Sequence, residues 1–161
     1  MRWVVILVVL TLESIRPVWA VGSDVVKFAP AEARDIRLLN KLLPDRMREQ
    51  NDIPVPYPQP PTIAWVKISG SERKYLFVLL PWECGVNCTI YGFRRTSKGW
   101  AKVYDVEGGD DIEVLKSQTS GHHDLQGTEV DSASSGFELT SHWDGNRYGE
   151  PNRTPCCTPA P

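Results

Sequence analysis

The chain has 161 residues, 24% of them charged, and a formal net charge of −2 at pH 7. The negative net charge disfavours a nucleic-acid partner, and the length fits one domain with a single hydrophobic core. Charge is placed unevenly, because residues 21–104 hold thirteen Lys or Arg against eight Asp or Glu, whereas residues 105–161 hold three against eleven. Such a chain either holds its two halves together by mutual attraction or presents an acidic face to a basic partner.

Residues 1–20 have the features of a secretory signal peptide. Arg2 precedes a nearly continuous apolar run over residues 4–12, and residues 18–20 (VWA) give the small-residue pattern of a signal peptidase site. A membrane anchor is the alternative, but the apolar run is about half of the roughly 18 to 20 residues that a spanning helix needs. We therefore expect cleavage before Val21, a periplasmic or secreted mature chain, and no stable membrane insertion after cleavage.

The N-terminal part of the mature chain, residues 21–61, predicts one helix followed by a linker. Apolar residues recur at helical spacing through residues 31–43, and Pro30 and Pro44 suit the first turn and the end of an amphipathic helix. Such a helix more commonly covers a sheet of its own chain than binds a partner. Residues 52–61 hold five prolines and predict a stiff, extended connector along the domain surface rather than a ligand for another domain.

Residues 62–148 predict a β-rich domain, because short β-favouring runs alternate with turn residues. The dipeptide Asp144-Gly145 is a strong hairpin signal, after which Tyr148 would begin a brief return strand. Residues 149–161, rich in Pro and polar residues, predict a flexible tail. We expect an α+β fold in which the N-terminal helix packs on an antiparallel β-sheet or meander of about six or seven strands. The predicted strands cover residues 62–68, 75–80, 89–93, 100–106, 112–117, 123–126 and 137–143.

The four cysteines, an even number in an exported chain, favour disulfides over a reduced metal site. Cys84 and Cys88 have a spacing that brings two Cα atoms within disulfide range if the loop folds back sharply. A thioredoxin-like redox centre and a zinc site are disfavoured, because neither the two-residue redox spacing nor a second pair with ligand spacing is present. The loop disulfide is either a structural staple or a means of stiffening a recognition loop. Cys156 and Cys157 are adjacent, so we expect that one reaches back to the domain or that both pair between chains.

His122, His123, Asp124 and His142 are the candidates for a metal site or for acid–base chemistry. In a strand, His122 and Asp124 would share one face and His123 the other, so local spacing does not bring three ligands together. Exposed loop histidines are the simpler interpretation, and no metal or cofactor is predicted. The acidic residues between positions 107 and 113 lack the regular alternation of a calcium loop and predict a solvated turn. No serine elbow or glycine-rich phosphate loop is present, so no catalytic residue is assigned.

The residues beside the cysteine pair are the candidate binding residues, namely Trp82, Glu83 and Asn87. Trp82 lies at the lip of the loop, where its position favours exposure. An exposed aromatic side chain beside a rigid loop is a typical binding anchor. Packing of Trp82 into the core is the alternative.

Three motifs in the second half of the chain form a pattern: CG-x-x-C at Cys84, Gly85 and Cys88, G-x-x-DL at Gly121, Asp124 and Leu125, and WDG-x-x-Y at Trp143, Asp144, Gly145 and Tyr148. On these motifs the sequence resembles a widespread set of uncharacterised exported bacterial proteins. The resemblance implies a β-rich fold and an exported compartment, and it transfers no catalytic residue. The bracketed loop is also remotely similar to that of the periplasmic inhibitors of vertebrate-type lysozyme. Those inhibitors carry a histidine within the loop, where this chain has Val86 and Asn87.

These features predict an exported, non-catalytic protein of the binding or inhibitor type. The disulfide-closed loop would contact a protein or cell-envelope partner. Two alternatives stay open, a small metal-assisted hydrolase that uses Asp124 and the histidines, and a purely structural envelope module.

Overall fold

The computed structural model describes residues 24–50, 59–68, 74–133 and 135–156. The predicted signal peptide with its cleavage site, most of the proline-rich connector and Cys157 lie outside these residues. The described residues form two antiparallel β-sheets of five strands each, together with two short helices.

The strands of the described residues are β1 (Asp24–Val25), β2 (Ala29–Pro30), β3 (Thr62–Lys67), β4 (Lys74–Leu79), β5 (Cys88–Thr96), β6 (Gly99–Gly108), β7 (Glu113–Thr119), β8 (His122–Ser132), β9 (Ser135–Ser141) and β10 (Asn152–Cys156). The helices are α1 (Ala33–Leu42) and α2 (Pro44–Glu49), and a 3₁₀ turn (Pro81–Glu83) follows β4. We name the sheet with strand order β2-β3-β4-β5-β6 the front sheet, and the sheet with order β1-β7-β8-β9-β10 the back sheet.

The expected α+β fold, one helix on a single sheet of about six or seven strands, is therefore wrong. The chain leaves the front sheet after β6, and β7 to β10 build a separate sheet instead of extending the first one. The N-terminal segment also contributes an edge strand to each sheet, because β1 pairs with β7 and β2 pairs with β3. Alternation along a strand tells which side chains share a face, but it does not tell which sheet a strand joins.

The strand β4 is buried on both faces, which explains its continuous apolar sequence. Tyr75 and Phe77 point into the core between the two sheets, where they join Leu125 and Trp143 of the back-sheet side. Leu76, Val78 and Leu80 belong to a second core on the opposite face of the front sheet. The front sheet is therefore the middle layer of three, between the back sheet and the helices.

The two helices form the outer layer on the front sheet. Leu39 of α1, together with Leu43 and Met47, packs against the second core. Asp35 accepts a hydrogen bond through Oδ2 from the Glu32 backbone N–H (3.1 Å), which satisfies one of the unpaired donors at the start of α1. The helix expected over residues 31–43 is thus present, and the residues after it add the separate short helix α2.

The hairpin expected at Asp144-Gly145 is confirmed. Trp143 pairs with Tyr148 in an antiparallel bridge, and Gly145 has a φ of +106°, a conformation that glycine adopts without strain. The segment expected to be a flexible tail needs correction, because β10 within it pairs with β9 over its whole length.

Because charge is unevenly distributed along the sequence, the layers of the fold differ in net charge. The positively charged half of the chain supplies the helices and most of the front sheet, and the negatively charged half supplies most of the back sheet. Among the described residues, no helix is long and apolar enough to cross a membrane.

Candidate functional site

The loop between the 3₁₀ turn and β5 is closed by a disulfide between Cys84 and Cys88, as the spacing predicted. The two Cα atoms are 4.2 Å apart. We call residues 84–88 the disulfide loop. Its first residue follows the turn at the end of β4, and its last residue begins β5, so the loop connects two central strands of the front sheet.

Trp82 attaches the start of this loop to the helical layer. Its indole Nε1 donates a hydrogen bond to the backbone carbonyl of Arg46 in α2 at 3.2 Å. The ring is half-buried and packs against the core between helices and sheet. The side chain that position alone favoured as an exposed anchor therefore has an intramolecular partner.

Glu83 makes a second attachment through its carboxylate. The hydroxyl of Tyr91 on β5 donates to Glu83 Oε2 at 2.7 Å, and Arg46 Nε lies 3.3 Å from Glu83 Oε1. Burial, followed by the hydrogen bond with Glu83, raises the pKa of the Tyr91 phenol above its usual value. The phenol is therefore held protonated as the donor to Glu83.

Asn87 makes the third attachment and joins the loop to the back sheet. Its side-chain amide donates through Nδ2 to the Val130 carbonyl at 3.1 Å and accepts through Oδ1 from the Val130 N–H at 2.9 Å. Both backbone groups of one β8 residue are thus satisfied by one side chain. This pair of hydrogen bonds links residues 43 positions apart in the sequence.

Gly85 and Val86 are the exposed tip of the loop. Val86 is 74% exposed, the largest exposed fraction among the large apolar side chains of the described residues. A groove of about 550 Å³ adjoins the tip, and it lies between the disulfide loop and the end of the back sheet. Its lining includes Phe28, Leu79, Cys84, Val86, Asp110 and Val130.

The histidine and aspartate candidates lie elsewhere, on the back sheet. Asp124 Oδ1 is 3.0 Å from His142 Nδ1, and Thr119 Oγ1 is 3.3 Å from the same nitrogen. Asp124 is only 3% exposed. Burial alone would raise the pKa of its carboxyl, but hydrogen bonds with Ser117, His142 and Thr119 outweigh burial and lower that pKa.

The other two histidines turn away from this pair. His122 stacks on Trp143, with ring centroids 4.1 Å apart and planes inclined by 10°. His123 Nδ1 is 2.6 Å from the Leu115 carbonyl oxygen, so this ring is engaged with the backbone of β7. In the part of the chain that the structure describes, no three His, Cys, Asp or Glu side chains group as metal ligands.

Two structural features of the loop were not predicted from the sequence. The exposure of Val86 had a signal, because a short loop closed by cysteines leaves its middle residues little core to reach. The partners Arg46 and Val130 had none, because they come from distant elements that meet only in the folded chain.

The chain matches no protein-family model, no curated protein and no solved structure. The similarity to exported bacterial proteins and to lysozyme inhibitors therefore rests on the sequence motifs alone.

Proposed function

We propose that this chain is an exported, non-catalytic binding protein that contacts a protein or cell-envelope partner through its disulfide loop. The proposal rests on the exposure of Val86 and on the attachment of the loop that carries it. This apolar side chain is 74% exposed, yet it stands on a loop that is fixed to the rest of the molecule on both sides. Side chains that become fully desolvated supply most of the energy of a typical protein contact, and Val86 would become such a side chain when a partner covers the rigid loop.

The rigidity of the loop favours binding because little conformational freedom remains to be lost when a partner docks. The disulfide closes the loop, the Trp82 and Glu83 side chains fasten its start to α2 and β5, and Asn87 fastens its end to β8. In this proposal Trp82, Glu83 and Asn87 support the contact surface, and Val86 makes the contact.

The groove beside the loop gives the contact its shape. Apolar side chains such as Phe28 and Leu79 line it together with the disulfide, and Asp110 adds a carboxylate. Ligand sites commonly combine an apolar lining with a few polar groups that fix orientation. Glu107 lies opposite Thr89, next to the loop, so the surroundings of the groove are acidic and favour a partner with basic residues.

The disulfide of the loop supports the exported compartment of this proposal. A disulfide persists in an oxidising environment, such as the periplasm or the cell exterior, and is uncommon where thiols are kept reduced. The signal-like residues 1–20 point to the same compartment.

A calorimetric titration tests the proposal with two classes of probe, lysozyme as a basic protein and soluble peptidoglycan fragments as envelope material. The variant Val86→Ser removes the apolar contact and leaves the disulfide intact. The matched control is Val25→Ser on β1, because Val25 is an equally branched side chain that is 61% exposed. We expect one probe class to bind the wild type and Val86→Ser to bind it about tenfold more weakly, since full burial of a valine side chain contributes about 1.5 kcal/mol or more.

The control variant should bind as the wild type does. Equal affinity of Val86→Ser and the wild type would contradict the assignment of the loop. Absence of binding to both probe classes would contradict the proposed class of partner.

A further inference from the structure

Two tryptophans meet on the outer face of the front sheet, away from the disulfide loop. Trp65 of β3 and Trp100 of β6 have ring centroids 5.8 Å apart and planes inclined by 54°. Trp65 is 44% exposed, and Trp100 is half-buried. The rings come from strands that are not neighbours, so they meet above Leu76 and Phe93 of the two strands between them.

The helices leave this part of the sheet open. The helix residues Leu43 and Met47 belong to the second core, on the outer face of the front sheet. This core includes Ile63 and Val78, a pair that lies toward one end of β3 and β4. Trp65 lies further along β3 on the same face, because residues two apart on a strand point the same way. Trp100 packs against this core, whereas Trp65 belongs neither to it nor to the residues packed against it and is exposed beside the helices.

Besides Lys67 and Lys102, two cations lie beside the tryptophans on this open face. Arg95 pairs directly with Trp100 across β5 and β6. Tyr75 pairs with Arg94, so the preceding residue of β4, Lys74, lies next to Arg95 of β5. Lys74 is also a diagonal neighbour of Trp65, because Trp65 pairs with Leu76, two residues further along β4.

Lys74 and Arg95 are both exposed. Within the described ranges, no carboxylate lies at ion-pair distance from either of them. Lys102, on the same face, already pairs with Asp105 and lies over the Tyr91 ring. The open face thus offers two cations that are available to an anionic ligand.

We propose that this surface, formed by Trp65, Trp100, Lys74 and Arg95, binds an anionic polysaccharide. The aromatic faces offer an apolar platform for the C–H faces of sugar rings, and the two cations pair with carboxylate or sulfate groups along the polymer. Arg95 suits such groups particularly well, because a guanidinium donates two parallel hydrogen bonds to one carboxylate or sulfate.

The shape and the compartment favour a polysaccharide over other anionic surfaces. A flat membrane would meet the helical layer before it reached the sheet beside it, because packed layers stand about 10 Å apart. A polymer chain is narrow enough to reach the exposed Trp65 beside the helices. Single-stranded nucleic acid uses the same combination of stacking and cations, but the disulfide of this chain belongs to a compartment outside the reducing cytosol.

This surface is independent of the disulfide loop. Cys88 and Arg95 stand near opposite ends of β5, roughly 20 Å apart at about 3.3 Å per residue. A failure of the loop proposal therefore leaves the polysaccharide proposal standing, and the reverse holds as well.

Affinity electrophoresis and calorimetry of the full mature chain test the proposal with heparin as a sulfated probe, polygalacturonate as a carboxylated probe and dextran as a neutral one. We expect binding to at least one anionic probe, weakening with added salt, and no binding to dextran. Trp65→Ala and the double variant Lys74→Gln/Arg95→Gln should each weaken binding about tenfold or more. The double variant changes only exposed side chains, so it remains informative if Trp65→Ala folds poorly.

The matched control is Lys116→Gln/Arg147→Gln, which removes the same charge from exposed residues outside the front sheet. It should leave the affinity within about twofold of the wild type, since surface charges at a distance are screened by salt. An equal loss in both double variants would overturn the proposal in favour of non-specific attraction. Tighter binding to an oligothymidylate or to phosphatidylglycerol vesicles than to either polysaccharide would overturn it too, as would no binding to any anionic probe.

Discussion

Asp124 and His142 form a carboxylate–imidazole pair on the back sheet, in which Asp124 Oδ1 lies 3.0 Å from His142 Nδ1. The carboxylate is almost fully buried, whereas the imidazole is exposed. Apart from this contact, Oδ1 has no hydrogen-bond partner among the described residues. The imidazole is thus the group that keeps this carboxylate oxygen from being unsatisfied in the interior, where an unpaired polar atom is costly.

Substitution of Asp124 should reduce stability in a pH-dependent way. Hydrogen bonds lower the pKa of Asp124 in the folded protein, so its stabilising effect is complete above the pKa of the unfolded chain, about 4. The effect is lost as the pH falls through the lower pKa of the folded state. Asp124→Asn should therefore cost about 1–2 kcal/mol at pH 7, and the difference from the wild type should shrink in acid. Urea unfolding from pH 7 to pH 2 measures both quantities.

The control for this prediction is Glu138→Gln, an exposed carboxylate of β9 in the same sheet. It should change the free energy of unfolding by less than about 0.5 kcal/mol across the range. A difference between Asp124→Asn and the wild type that stays constant down to pH 2 would contradict the role of the ionised carboxylate.

Asn87 should stabilise the contact between the two sheets. Asn87→Ala removes both hydrogen bonds to Val130, and we expect a loss of about 1–2 kcal/mol in the free energy of unfolding. Amide hydrogen exchange at Val130 gives a local measure, because the N–H of this residue loses its acceptor. Asn152→Ala, an exposed asparagine of β10, is the control and should leave exchange at Val130 unchanged.

The Cys84–Cys88 disulfide should contribute more to the order of the loop than to global stability. A ring of about five residues restricts the unfolded chain only modestly, so Cys84→Ser/Cys88→Ser should cost about 2 kcal/mol. Hydrogen exchange of residues 85–87 should increase more than that of the central strands. Unchanged exchange in these three residues would show that the side-chain attachments alone hold the loop.

Gly92 allows the closest approach of two strands and a core ring. A Cβ atom at this position would lie 2.6 Å from the Cβ of Tyr104 and 2.9 Å from Cε1 of Phe77, both closer than van der Waals contact. Gly92→Ala should therefore destabilise the protein by about 1–3 kcal/mol. Thermal unfolding measures this loss. Gly85→Ala is the matched control, because a Cβ there meets nothing within 4 Å and should cost less than about 0.5 kcal/mol.

The local structural features of this protein could be predicted from its sequence. The four-residue cysteine spacing predicted the loop disulfide, Asp144-Gly145 predicted the hairpin in which Trp143 pairs with Tyr148, and the helical spacing in residues 31–43 predicted α1. Each of these depends on residues that are close in sequence, so short-range geometry was sufficient.

The arrangement of the sheets and of the candidate sites was decided only by tertiary structure. Alternating apolar residues predict strands equally well for one sheet or for two, and the continuous apolar run of β4 does not reveal that helices cover one face of it. The loop attachments through Arg46 and Val130, and the meeting of Trp65 with Trp100, join residues that are far apart in the chain. Such contacts depend on which layers pack together, and packing depends on the shape of the whole core rather than on any local pattern.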